Sequence, residues 1–379
     1  MNGKEKQIMK QRIYPIGNEE LQKEYRNTLK PFYGVLKTMD GYIKLGFLTG
    51  VTKFGKVSVF SDLNNLKDIS MRRDYIDICG ITDKELHRYF DKDLHTLADV
   101  QGLDYETVCL EVQKRYDGYH FNFNTPGIYN PFSLLNTFDA MAFGSYWFAT
   151  GTPSYLVYLL KKHHYRLEEI EKVEVTEDVL DSIDSEGTNP IPVIYQSGYL
   201  TIKDYDPEFG LYMLDYPNRE VEEGFVKYLM PFYIDKSEAE APFEIRRFVG
   251  EVRNGNIDGF FHRLQSFFAD APYEVIVGQD PVRNVELFFQ NVLFIVFRLA
   301  GFYTQVEYHT SRGRIDLVLK TDKFIYVMEF KQGATAEEAL AQINEKGYAD
   351  AFASDSRTLY KIGVSFSDEQ RNIERWLVE

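Results

Sequence analysis

The sequence predicts a multidomain α/β (α+β) protein whose last hundred residues form an α-β-β-β-α-β core. Three observations carry that prediction. First, two short apolar runs, Ile315–Leu319 and Phe324–Met328, are rich in β-branched or aromatic residues and read as strands. The polar Lys320–Lys323 between them is short enough for a hairpin turn. Second, residues 282–299 are strongly apolar and read as a helix ended by Ala300-Gly301. Third, a strand is read over Phe302–Glu307 before the hairpin, and after it come a helical Ala336–Tyr348 and a strand over Thr358–Phe366.

Composition sets the bounds. A chain of 379 residues is long enough for two or three domains. Hydrophobic residues at 44% and aromatics at 15% supply packed cores, which argues against disorder. Cys79 and Cys109 give neither a disulfide framework nor zinc-ligand spacing. The first 15 residues hold no apolar signal region, and no run approaches a membrane span, so a soluble, cytoplasmic protein without a membrane partner is expected. A net charge of −15 argues against a general nucleic-acid coat. The acidity is concentrated in the middle. Residues 1–80 carry 14 basic and nine acidic side chains, 81–280 carry 17 and 35, and 281–379 carry 12 and 14.

Taken in order, residues 18–40 read as helix with a break at Pro31, and Tyr42–Thr49 as a buried strand ending at Gly50. Gly50-x4-Gly55-Lys56 has the spacing of a phosphate-binding loop, but Val57 stands where Ser or Thr would hold Mg²⁺, with Ser58 one place late. The favoured reading is a strand end and a lysine-bearing loop, and ATP is not expected as a cofactor. Residues 81–118 read as two helices, with Thr82 and Glu85 at capping-box spacing at the start of the first. Asn130-Pro131 and Thr152-Pro153 each open a further helix. The acidic, Gly/Asn/Pro-punctuated 166–189 reads as a boundary. From 190 to 229 the pattern is strand, turn, strand, helix, with a ribbon formed by Tyr199–Ile202 and Leu211–Leu214. This ribbon carries Asp204, Asp206, Glu208 and Asp215 against Lys203 alone, so packing between domains is favoured over contact with phosphates. Residues 231–280 read as a helical connector.

The chemistry concentrates in the C-terminal hairpin. Each strand carries a carboxylate where a buried strand should be apolar: Asp316 in the first, Glu329 in the second. Glu329 and Lys331 are two apart and share a strand face. Hard oxygen donors of this kind suit Mg²⁺ or Mn²⁺, which lower the pKa of bound water and offset phosphate charge. The ammonium of Lys331 suits orienting or deprotonating that water, or neutralising the phosphate. Taken alone, a Glu-x-Lys pair is as compatible with a solvated strand surface and is then worth little. His309 is read as lying in a turn at the surface, and Arg314 as facing away from the set.

Several stretches carry a family resemblance. Phe47–Ile69 resembles the late part of the AAA-ATPase-like domain of a large bacterial family, with the strand ending at Thr49 similar to its sensor strand. Tyr116-Asp-Gly-Tyr-His-Phe121, Tyr129-Asn-Pro-Phe-Ser133 and Tyr146–Ser154 resemble further stretches of that family, and the ribbon resembles its winged-helix part. Gly313-Arg-Ile-Asp-Leu-Val318, Glu329-Phe-Lys331, Ala336–Ile343 and Tyr348 resemble the motifs of the PD-(D/E)XK nuclease superfamily, with Ile315 where the motif's name has proline. The resemblance implies a partial AAA-ATPase-like region without a Walker A loop at 18–165, a winged-helix-like module at 190–230, a connector at 231–280 and a restriction-endonuclease-like domain at 281–379. It implies metal-dependent hydrolysis of nucleic-acid phosphodiesters. Asp316, Glu329 and Glu286 would hold the metal, Lys331 would act at the reacting phosphate, and Gln342 would reach the site from the second helix. Implied partners are nucleic acid, DNA foremost, and a protein partner or a second copy. The alternative is a non-catalytic module of the same architecture that binds nucleic acid or protein.

Overall fold

The computed structural model describes residues 19–50, 67–149, 154–181, 189–233, 239–269, 281–301, 305–311, 314–367 and 369–379. At 281–286, 305–311 and 314–316, among others, the backbone alone is described. The chain divides into two units, residues 1–163 with 170–222 and residues 164–169 with 223–379.

The first unit begins with α1 (Glu19–Thr38), which continues through Pro31 rather than breaking there. Proline removes one backbone donor, which bends a helix without ending it when the flanking turns hold. The strand expected over Tyr42–Thr49 is also absent: residues 43–50 carry no strand pairing, and Tyr42 and Leu45 are 86% and 85% exposed. A strand needs a neighbouring ladder, and the described residues offer none here. Lys56, Val57 and Ser58 lie outside the described residues.

Next comes a helical bundle. Thr82 and Glu85 form the expected capping box at the start of α2 (Asp83–Tyr89). The helix read across this stretch is split in two, because the chain leaves helical geometry at Phe90 before α3 (Asp91–Gln101) begins. Phe90 instead stacks on Phe138 at 5.5 Å. Asp104 caps α4 (Tyr105–Tyr116), and Asn130 caps α5 (Pro131–Ala140). Leu86, Leu94, Leu97, Val108, Val112, Tyr116, Leu134 and Phe138 make the shared core. Then follow α6 (Ser154–Lys162), β1 (Val173–Thr176), α7 (Glu177–Asp181), α8 (Ile191–Gln196), β2 (Thr201–Asp206) and β3 (Leu211–Asp215). The ribbon is present, and it gains β1 from the stretch read as a boundary, in the antiparallel order β1-β3-β2.

The Tyr116–Phe121 segment clamps this sheet to the bundle. Thr201 Oγ1 accepts from His120 N–H at 2.7 Å and donates to His120 C=O at 2.9 Å. Asn218 Nδ2 donates to Asp117 C=O, and Lys203 Nζ donates to Pro217 C=O at 3.0 Å and Gly118 C=O at 3.4 Å. The ribbon's lysine is thereby directed at its own unit's carbonyls. Gly118 sits at φ +100°, and a Cβ there would stand 2.2 Å from Pro217 O, so glycine is required.

A further helix, α9 (Arg219–Tyr233), spans the division between the units. The second unit contains α10 (Ala241–Asn254), α11 (Ile257–Ala269) and α12 (Pro281–Gly301), followed by β4 (Gln305–Ser311), β5 (Arg314–Lys320), β6 (Phe324–Gln332), α13 (Ala336–Lys346), β7 (Thr358–Ser367) and β8 (Asn372–Val378). The predicted helix-strand-strand-strand-helix-strand order is present, with β8 added at the end. The sheet order is β4-β5-β6-β7-β8, antiparallel except for the parallel β6–β7 pair. Successive side chains of β6 serve two layers. Ile325 and Val327 pack with Ile343 of α13, while Phe330 packs with Phe261 and Phe297 of α11 and α12. With both faces covered, the strand is apolar almost throughout, which makes a carboxylate within it conspicuous.

The β5–β6 turn is pinned by Thr321. Its hydroxyl accepts from the Phe324 backbone N–H, its own N–H donates to Phe324 C=O at 2.8 Å, and Arg357 Nη1 donates to its carbonyl at 3.0 Å.

Candidate active site

Residue positions at the site follow from strand register. In the β5–β6 pairing Asp316 is the direct partner of Glu329, and Arg314 of Lys331. Directly opposed antiparallel residues have Cα atoms about 4.5–5.5 Å apart, so both carboxylate-bearing positions fall within the reach of one small cation. Glu329 is fully buried, at 0% exposure, and Lys331 is half-buried two residues further along the same strand face. A fully buried carboxylate is costly unless cations or donors face it, so its position in an apolar strand calls for a specific role.

Helix α13 is seated close to this point. Gly363 on β7 is the register partner of Glu329. A Cβ at Gly363 would lie 2.2 Å from Ala336 O and 2.4 Å from Leu340 N, so the helix backbone rests directly on that glycine. The helix is fixed there by a second capping box, Thr335 with Glu338, and by its buried face of Ala336, Ala339 and Ile343. Gln342 is half-buried on this helix. Glu286 lies within α12, and its side chain is outside the described residues, as is that of Asp316.

Two expectations are corrected by the register. His309 is not in a turn but within β4, as the direct partner of Asp316. Arg314 stands two positions from Asp316, so the two hold the same place in the pleat rather than opposite ones. Across the sheet, one row therefore runs His309, Asp316, Glu329, Gly363, Leu377, and the next runs Ser311, Arg314, Lys331, Ser365, Arg375. No sequence spacing links these positions, and only the pairing reveals them. Among the described residues no group of three His, Cys, Asp or Glu side chains could hold a metal, and the side chains of Asp316, Glu286 and His309 are outside that description.

Residues 284–376 match the PD-(D/E)XK nuclease superfamily, and residues 10–60 match a family described as Predicted AAA-ATPase. The chain is 32% identical over 369 residues to an uncharacterized protein in the vnfD 5′ region of Azotobacter chroococcum mcd 1, covering 95% of this chain and 68% of that protein. The chain belongs to this family, which joins an AAA-ATPase-like region to a C-terminal PD-(D/E)XK domain. No solved structure matches it. In the PD-(D/E)XK domain, the matched segment runs from early α12 into β8 and so spans the whole sheet and α13. No helix among the described residues is long and apolar enough to cross a membrane.

Proposed function

We propose that the protein is a metal-dependent nuclease that hydrolyses phosphodiester bonds of nucleic acid, DNA foremost, in the cytoplasm. One observation carries this reading: Asp316 and Glu329 are direct partners on adjacent strands of a PD-(D/E)XK domain, with Lys331 two residues from the buried Glu329. Two hard carboxylate donors at opposed positions fit Mg²⁺ or Mn²⁺. Asp316 and Glu329 would hold the ion, with Glu286 as a further oxygen ligand from α12. When bound, it supplies a water of lowered pKa and charge to offset the phosphate. Lys331 places a positive charge beside that water and phosphate, where it orients the nucleophile and balances charge on the reacting group. Gln342, on the helix seated at Gly363, is proposed to orient substrate or water.

The upstream region is proposed to be AAA-ATPase-like over 18–165 and winged-helix-like over 190–230, linked through 231–280 to the domain at 281–379. ATP hydrolysis is not part of the proposal, and calorimetry with ATP is expected to show no binding. A protein partner or a second copy would bind through the upstream region.

The test is cleavage of labelled DNA and RNA by the purified chain in Mg²⁺ or Mn²⁺. Asp316→Ala and Glu329→Ala are expected to reduce cleavage to background, and Lys331→Ala to lower it by about 10²- to 10⁴-fold. Equal activity in wild type and Glu329→Ala would point to a contaminant. Absence of cleavage with retained binding would favour a non-catalytic module.

A further inference from the structure

The last strand departs from regular pairing at one point. In the β7–β8 ladder Ser365 faces Arg375 and Phe366 faces Ile373, so Glu374 is an extra residue, a β-bulge. Without it, Ile373 and Arg375 would point to the same side of the sheet. With it they part. Ile373 is buried at 2% exposure, on the side of Phe366, which stacks on Phe289 of α12. Trp376 is on that side too, stacked on Phe261 at 5.0 Å and donating Nε1–H to Asp258 at 2.9 Å. Arg375 emerges on the α13 side, where its Nη1 lies 2.8 Å from Glu337 Oε1, both side chains being largely exposed.

That side is the one with Glu329 and Lys331. Arg375 ends the row Arg314, Lys331, Ser365, Arg375, immediately beside the carboxylate row. With strands about 4.8 Å apart, Arg375 stands roughly 10 Å from Lys331, and the row spans roughly 14 Å. A single phosphate does not need a cation so far from the reacting centre, but a polymer with a charge on every unit does. Bulges re-aim side chains beside active sites, and this one turns an arginine from the buried layer to the site's face.

We propose that Arg375 is a positioning residue that binds a phosphate of the nucleic-acid backbone flanking the one to be cleaved, and that Glu337 holds its guanidinium in place until substrate arrives. Arginine suits this task because its planar fork pairs with phosphate through two hydrogen bonds. The inference rests on the nuclease reading and narrows its substrate to a polymer that extends past the reacting group.

The experiment compares the full-length wild type with Arg375→Gln, Arg375→Lys and Glu337→Gln. Cleavage in Mn²⁺ is measured on a labelled oligonucleotide and on the small diester bis(4-nitrophenyl) phosphate. Arg375→Gln is expected to lower kcat/KM on the oligonucleotide by about 10- to 100-fold, through KM, and to leave the small diester unchanged. Arg375→Lys should recover part of the loss, and Glu337→Gln should lower KM. Oligonucleotide binding, read by fluorescence anisotropy in Ca²⁺ as salt is varied, should lose about 0.7–0.9 from its log–log slope in Arg375→Gln. Wild-type binding and KM in Arg375→Gln, or equal losses on both substrates, would overturn the proposal. If the wild type cleaves neither substrate but binding still depends on Arg375, the nuclease reading fails and the phosphate contact stands.

Discussion

Glu220 is 3% exposed, and its carboxylate accepts from the Trp147 backbone N–H at 3.0 Å. Burial pushes its pKa up from the ordinary carboxylate value, and that hydrogen bond offsets the shift only in part. Asp117 is shifted in the same direction for the same cause. A carboxyl whose folded pKa is raised binds its proton more tightly in the folded state. Its charge therefore costs nothing below the unfolded pKa and costs most above the folded one. Glu220→Gln removes that cost, so its melting temperature is expected to match wild type near pH 4 and to exceed it increasingly toward pH 8. Thermal denaturation across that range checks the sign, and a constant difference would refute it. Individual residues were unevenly legible in the sequence. Asp316, Glu329 and Lys331 could be picked out as candidates because acidic and basic groups interrupt apolar strands. His309 and Arg375 could not, since their places depend on which residue pairs with which across a strand gap, and for Arg375 on a bulge that shifts the pleat by one.

At the scale of elements, the packing of α13 on β7 is the most exacting contact beside the site. Gly363→Ala would set a methyl against backbone atoms of Ala336 and Leu340, and neither can turn aside as a side-chain tip would. The cost is expected to be about 1–3 kcal/mol, with α13 displaced from the sheet. Cleavage by this variant should fall more than its melting temperature implies, because Gln342 travels with the helix. Activity at a temperature well below unfolding, beside a melting curve, separates the two effects. Helices with strong caps were legible in advance, as Thr82, Asn130 and the apolar 282–299 show. Tertiary context decided the others. The run at Tyr42–Thr49 has a strand's composition without a partner strand among the described residues, and β1 is four residues within an acidic stretch, fixed as a strand by pairing with β3.

For the whole molecule, the division into two units with separate cores bears on unfolding. Scanning calorimetry is expected to resolve two transitions rather than one. Glu220→Gln should move one of them and Gly363→Ala the other; a single transition shifted by both would contradict this. The order of elements in the C-terminal domain could be read from hydrophobic runs and their lengths, which is why the PD-(D/E)XK resemblance was visible there. Thr321 ties these scales together. It stands five residues from Asp316, roughly 16 Å along an extended strand. Its bonds to Phe324 and Arg357 hold the turn from which the pairing of β5 with β6 is counted. The turn works as the zero mark of a ruler: a slip of one residue there would carry Asp316, with every other side chain of β5, to the opposite side of the sheet. The candidate site is thus vulnerable at a turn well away from it, and damage at Thr321 or Arg357 would unseat the buried Leu317 and Leu319 together with Asp316.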